Sequence, residues 1–152
     1  MLKNVDPLLT PSLLWVLRSM GHGDEIVLVD QNFPASSIAR EHARRLIDLS
    51  GSRLDAVTTA IMSVLPVDRF IEPAVFRMGP VGEESTVLPV HAEFEAIVNR
   101  AEGREVTIGV LDRFAFYQRA REAFAVVLTG DDRAYGCFLV TKGVVWSADA
   151  LP

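Results

Sequence analysis

The sequence predicts an α/β fold: a single domain with a largely parallel sheet flanked by helices. Three observations predict it. Apolar residues at helical spacing alternate along the chain with short apolar runs, the pattern of strand–helix–strand units. The run Ile26-Val27-Leu28-Val29, ending on Asp30, reads as a buried strand that delivers a polar group to its carboxyl end. The length, 152 residues with 49% hydrophobic, suits one core and one domain.

Thr10-Pro11 supplies an N-cap followed by proline at the first helical position. Leu13, Leu14, Leu17 and Met20 continue at helical spacing until Gly21 stops the helix. Residues 25–30 form the first strand. Residues 43–49 alternate more weakly, with Ala43, Arg45, Ile47 and Leu49 on one side; a strand is the reading and a short helix its rival. Ser52 caps a helix over 53–65, whose Leu54, Val57, Ile61, Val64 and Leu65 share one face before Pro66 ends it.

Residues 74–78 read as a strand and 79–89 as a loop with proline, glycine and acidic residues. A helix follows over 90–100, with Phe94, Ile97, Val98 and Ala101 turned inward and Gly103 closing it. Residues 106–111 form a strand, and Asp112 caps a helix through 124. Residues 125–129 and 136–140 are strands around a Gly-Asp-Asp turn.

This order predicts a shared sheet edge. Asp30 and Arg113 lie just past the carboxyl ends of parallel strands, where open α/β sheets bind ligands. The last strand returns from a short turn, so it runs antiparallel and brings Tyr135 to the same edge. The expectation is that His22, Asp30, Arg113 and Tyr135 gather there.

Composition removes several classes of function. The formal charge is −5 and no basic cluster exceeds Arg44-Arg45, which argues against nucleic acid. No apolar run reaches about 18 residues, which argues against a membrane span. The first residues lack the pattern of a signal peptide. Cys137 is alone, which rules out an internal disulfide and makes a reducing cytoplasm the expected location. The mean hydropathy is positive, rich for a small domain, and points to apolar surface covered by a partner subunit.

The segment Gly21-His22-Gly23-Asp24-Glu25-Ile26 places an imidazole between glycines, which let the backbone expose it. An unperturbed imidazole titrates near neutral pH. Together with Asp30 and Phe33-Pro34-Ala35, this segment resembles the RbsD/FucU family of sugar mutarotases. Arg113-Phe114-Ala115-Phe116-Tyr117, Phe124-Ala125 through Thr129-Gly130 to Tyr135-Gly136, and Leu139-Val140-Thr141-Lys142-Gly143-Val144 resemble its fucose branch. The opening Leu8-Leu9-Thr10-Pro11 fits as well. The resemblance spans residues 1–145 and leaves 146–152 as a tail.

The resemblance implies interconversion of sugar anomers with L-fucose as substrate, an RbsD-like α/β fold, no metal or organic cofactor, and a ring-like homo-oligomer, often a decamer. It implies His22 as proton donor, and Asp30, Arg113 and Tyr135-Gly136-Cys137 as sugar-binding positions. Gly23 and Gly136 favour the fucose branch over ribose-acting relatives. Cys137 departs from the family, where asparagine is common; a thiol is a poorer hydrogen-bonding partner than an amide.

Those residue types suit the chemistry. Mutarotation opens a cyclic hemiacetal and recloses it on the other face, so the ring oxygen gains a proton as the anomeric hydroxyl loses one. Positioned acid–base catalysis supplies about 10²–10⁴-fold. A carboxylate accepts from neighbouring hydroxyls, and a guanidinium donates to them in a fixed fork.

Structural roles compete with these. Asp24 caps a turn more readily than it binds a ligand. Asp30 also fits a strand-end turn, and Arg113 an ion pair with Asp112 or Glu122. Phe114 and Tyr117 share a helical face, and Tyr117 suits substrate contact or packing equally. Cys137 reads as a buried, inert thiol. His22, His42 and His91 match no zinc spacing, and two of them fall in polar, solvated segments. The run Arg40-Glu41-His42-Ala43-Arg44-Arg45 reads as solvated or subunit-contact surface. A ribose pyranose–furanose isomerase and a non-catalytic sugar-binding ring are the rival functions.

Overall fold

A computed structural model describes residues 2–42 and 44–145. The proposed tail therefore lies outside the described residues, as does Ala43. The elements run α1 (Pro11–Ser19), β1 (Glu25–Val29), α2 (Ala35–Glu41), β2 (Arg45–Leu49), α3 (Leu54–Met62), β3 (Val75–Met78), α4 (Pro89–Glu102), β4 (Ile108–Leu111), α5 (Arg113–Glu122), β5 (Ala125–Thr129) and β6 (Phe138–Thr141). The strands form one sheet in the order β2-β5-β1-β6-β3-β4. β1 pairs with β5, β2 with β5 and β3 with β4, all parallel. Only β6 is reversed, antiparallel to β1 and β3.

Helices cover both faces, which is why the central strands are apolar except at their ends, Glu25, Thr129 and Thr141. In β1, Ile26 and Leu28 join the core beneath α1, α3 and α4. Val27 and Val29 join the opposite core, with Ile38 of α2 and Phe116 of α5. Phe94 of α4 stacks on Phe138 of β6 with ring centroids 3.7 Å apart.

Local chemistry sets the helix ends. The Thr10 hydroxyl accepts from the Leu13 N–H at 3.3 Å. Asp112 accepts from the N–H groups of Phe114 and Ala115 at 2.8 and 3.0 Å. The Lys142 ammonium donates to the carbonyls of Leu17 and Met20 at 2.8 and 2.6 Å, closing the end of α1.

Four expectations need correction. Ser52 does not cap α3; a distant carboxylate does, with Asp131 Oδ2 accepting the Leu54 N–H at 3.2 Å. β5 and β6 are not hydrogen-bonded neighbours, because residues 130–137 carry the chain past β1, which lies between them. Helix α2 was not expected; its seven residues carry one large apolar side chain, Ile38, and no side-chain cap, so tertiary packing forms it. Val64 is exposed, since α3 ends at Met62, and Ala101 is also exposed. Strand β2 does form, and Arg45 at its start stacks over the Trp15 ring at 3.7 Å.

Candidate functional site

The carboxyl edge of the sheet carries a cavity of about 190 Å³, lined in part by Asp30, Phe33, Arg113, Tyr117, Tyr135 and Cys137. Each arrives by a different route. Asp30 follows β1, Arg113 opens α5 after β4, and Tyr135 and Cys137 lead into the reversed β6. Larger depressions exist, such as one of about 440 Å³ beside Glu95 and Asn99. What distinguishes the smaller one is the convergence of a carboxylate, a guanidinium and two phenols.

Asp30 is buried at 3% exposure. Its Oδ1 accepts from the Asn32 N–H at 2.9 Å, and its Oδ2 stands 3.4 Å from the Cys137 thiol, which donates to it. Burial and the Asp30 charge push the thiol's pKa well above its ordinary value, so Cys137 is a protonated donor and no nucleophile. Burial also raises the Tyr117 hydroxyl, helped by Cys137, Asp30 and Tyr135 and opposed by Arg113. Tyr117 packs edge-on against Phe33, with ring centroids 5.1 Å apart, and also lines the cavity. Phe114 points away and is 72% exposed. Gly136 is buried and is not among the residues lining the cavity.

Tyr135 holds a left-handed backbone, φ 63°, which is uncommon for a residue with a side chain. Its phenolic oxygen accepts from the Val81 N–H at 3.3 Å, leaving its proton free to donate. Its carbonyl accepts from His91 Nε2 at 3.1 Å.

His22 does not join this group. It precedes β1 whereas Asp30 follows it, and a five-residue strand spans about 16 Å. Residues flanking one strand sit at opposite sheet edges, so the expected gathering of four is a gathering of three. Gly23, at φ 86°, turns the chain beside the half-exposed imidazole, and Asp24 accepts the Gly21 N–H at 2.7 Å. His22 Nε2 lies 3.1 Å from Asp68 Oδ1, and its ring meets Phe70 edge-on at 5.2 Å. Burial opposes ionisation of Asp68. The N–H groups of Phe70 and Arg69 and the His22 ring outweigh it and hold the carboxyl below its ordinary value.

Asp68 was missed, having no signal beyond its place after Leu65-Pro66. His91 is buried, at 2% exposure. Among the described residues, no three His, Cys, Asp or Glu side chains are grouped to hold a metal ion. None of the described helices is long and apolar enough to cross a membrane.

The pattern of the RbsD / FucU transport protein family matches residues 3–145. The chain belongs to that family. It is 44% identical over 151 residues to the fucose mutarotase of Bos taurus, covering 97% of each chain. The fucose mutarotase of Streptococcus pneumoniae, solved in complex with L-fucose, superposes with a TM-score of 0.86 at 31% identity, covering 95% of this chain and 100% of that one. Bacillus subtilis RbsD, solved with D-ribose, superposes at 0.70 with 19% identity, covering 96% of this chain and 100% of that one, and so shares the fold. This RbsD/FucU chain thus has the α/β architecture its sequence predicts.

Proposed function

We propose that the protein is an L-fucose mutarotase, an isomerase that interconverts α and β anomers by opening and reclosing the sugar ring. The observation that carries the reading is the convergence of Asp30, Arg113 and Tyr135 on one cavity in a chain so similar to fucose mutarotases. Asp30 accepts from sugar hydroxyls with the lone pairs that Asn32 and Cys137 leave free. Arg113 donates in a fork. Tyr135 and Tyr117 supply O–H donors and flat apolar faces, and Gly136 sets the backbone between Tyr135 and Cys137.

His22 donates the proton to the ring oxygen, and does so from a second copy of the chain. The amino edge of one copy, with His22 beside exposed Phe70, meets the carboxyl edge of the next, where Phe114 is exposed. Such a contact joins two different surfaces, so it repeats, and a rotation that closes makes a ring, of which a decamer is one size. Two-sided use also accounts for the apolar residues at both edges. The lone thiol agrees with a cytoplasmic setting.

Saturation-transfer NMR on a sugar panel tests the reading. Magnetisation transfer between L-fucose anomers is the expected result. Pyranose–furanose exchange in D-ribose without fucose exchange would replace the substrate, and binding without exchange would replace catalysis with carriage.

A further inference from the structure

His91 lies outside the cavity, yet it is the residue that grips the cavity's most strained member. It sits in the first turn of α4, and its ring is fixed edge-on against Phe138 with centroids 5.9 Å apart. Two hydrogen bonds favour one state, with the Thr86 carbonyl also near the ring. Leu88 donates its N–H to Nδ1 at 3.1 Å, so Nδ1 is bare. The Tyr135 carbonyl can only accept, so Nε2, at 3.1 Å, carries the proton. A neutral imidazole in one tautomer satisfies both at once.

We propose that His91 is a positioning residue for the sugar pocket: its Nε2–H holds the Tyr135 carbonyl, keeps that residue in its left-handed conformation, and so aims the phenol across the cavity. This rests on the sugar-pocket reading above. A left-handed tyrosine is unfavourable unless surrounding bonds over-determine it. The bonds at hand are the His91 bond to its carbonyl and the Val81 bond to its phenol. Burial, and then the Arg77 charge, hold His91 below the ordinary histidine value against the pull of the Tyr135 and Thr86 carbonyls, which agrees with the neutral form.

The two ring nitrogens can be tested apart. Asparagine keeps an acceptor near the Nδ1 position, and glutamine reaches the Nε2 position with an N–H. His91→Asn is expected to preserve the α4 start, shift the Tyr135 and Gly136 amide resonances, and raise half-saturation for L-fucose exchange about tenfold with maximal exchange little changed. His91→Gln is expected to restore half-saturation to within about twofold of the parent. Unchanged amide resonances and half-saturation in His91→Asn would overturn the proposal.

Nitrogen-15 spectra of the unmodified protein test it without any variant. A proton on Nε2 and a bare Nδ1 are expected; the opposite tautomer would refute the Tyr135 bond, even if His91→Asn failed to fold. Should the parent protein not exchange L-fucose, the sugar reading falls, while the tautomer and amide measurements still decide whether His91 holds Tyr135.

Discussion

Asp68 Oδ1 stands 3.1 Å from His22 Nε2, tethering a half-exposed imidazole to a carboxylate that is itself buried. The pair sits at the sheet edge opposite Asp30. A buried carboxylate fixes the imidazole's orientation through this contact.

Asp68→Asn keeps the shape and removes the charge. Anomer exchange is expected to slow about tenfold, on the order of 1.4 kcal/mol of barrier, with L-fucose affinity nearly unchanged. Exchange NMR paired with calorimetry separates the two effects. A loss of affinity without a loss of maximal exchange would place Asp68 against the sugar instead.

Asp131 ties three parts of the carboxyl edge together. It accepts from Leu54 N–H at the start of α3 and from Arg133 Nε at 2.9 Å, and its backbone carbonyl accepts from Gln31 N–H. Arg133, against the cost of burial, lowers its pKa from 3.8 to about 2, with the Arg133 and Leu54 N–H groups adding to the effect. A lowered carboxyl stabilises the fold in its ionised form. That contribution is complete above about pH 4 and is lost as pH falls through about 2. Asp131→Asn is expected to cost about 2 kcal/mol at pH 7 and much less near pH 2, read from denaturant unfolding at both.

Cys137 offers one weak thiol where an amide would offer two donors and an acceptor. Cys137→Asn is expected to keep the bond to Asp30 and add one to the sugar, tightening L-fucose about fivefold by calorimetry. Weaker binding would mean that the small buried thiol is needed for fit.

Much of the layered fold was legible because strand and helix periods differ along the chain. The run from Ile26 to Val29 and the Asp112 cap each announce themselves. Helix α2 did not, because Ala35-Ser36-Ser37-Ile38 has no period of its own and forms only against the sheet. Asp30, Arg113 and Tyr135 were legible as a group because strand direction alone brings them to one edge. His22 was wrongly added to them, although its place before β1 already assigned it to the other. The environment of His91 was not legible from its neighbours Val90 and Ala92. Its burial comes from docking α4 on Phe138, a contact 47 residues away in sequence.

A mixing experiment tests the central claim most directly, that one copy's His22 serves another copy's Asp30 pocket in L-fucose mutarotation. His22→Ala alone is expected to bind L-fucose and exchange its anomers slowly, and Asp30→Asn alone to bind poorly. Co-expressed in equal amounts, the two variants are expected to assemble so that roughly one site in four combines an intact His22 with an intact Asp30. Exchange should therefore recover to about a quarter of the parent rate. Mixed rings that exchange no faster than either variant alone would contradict the account.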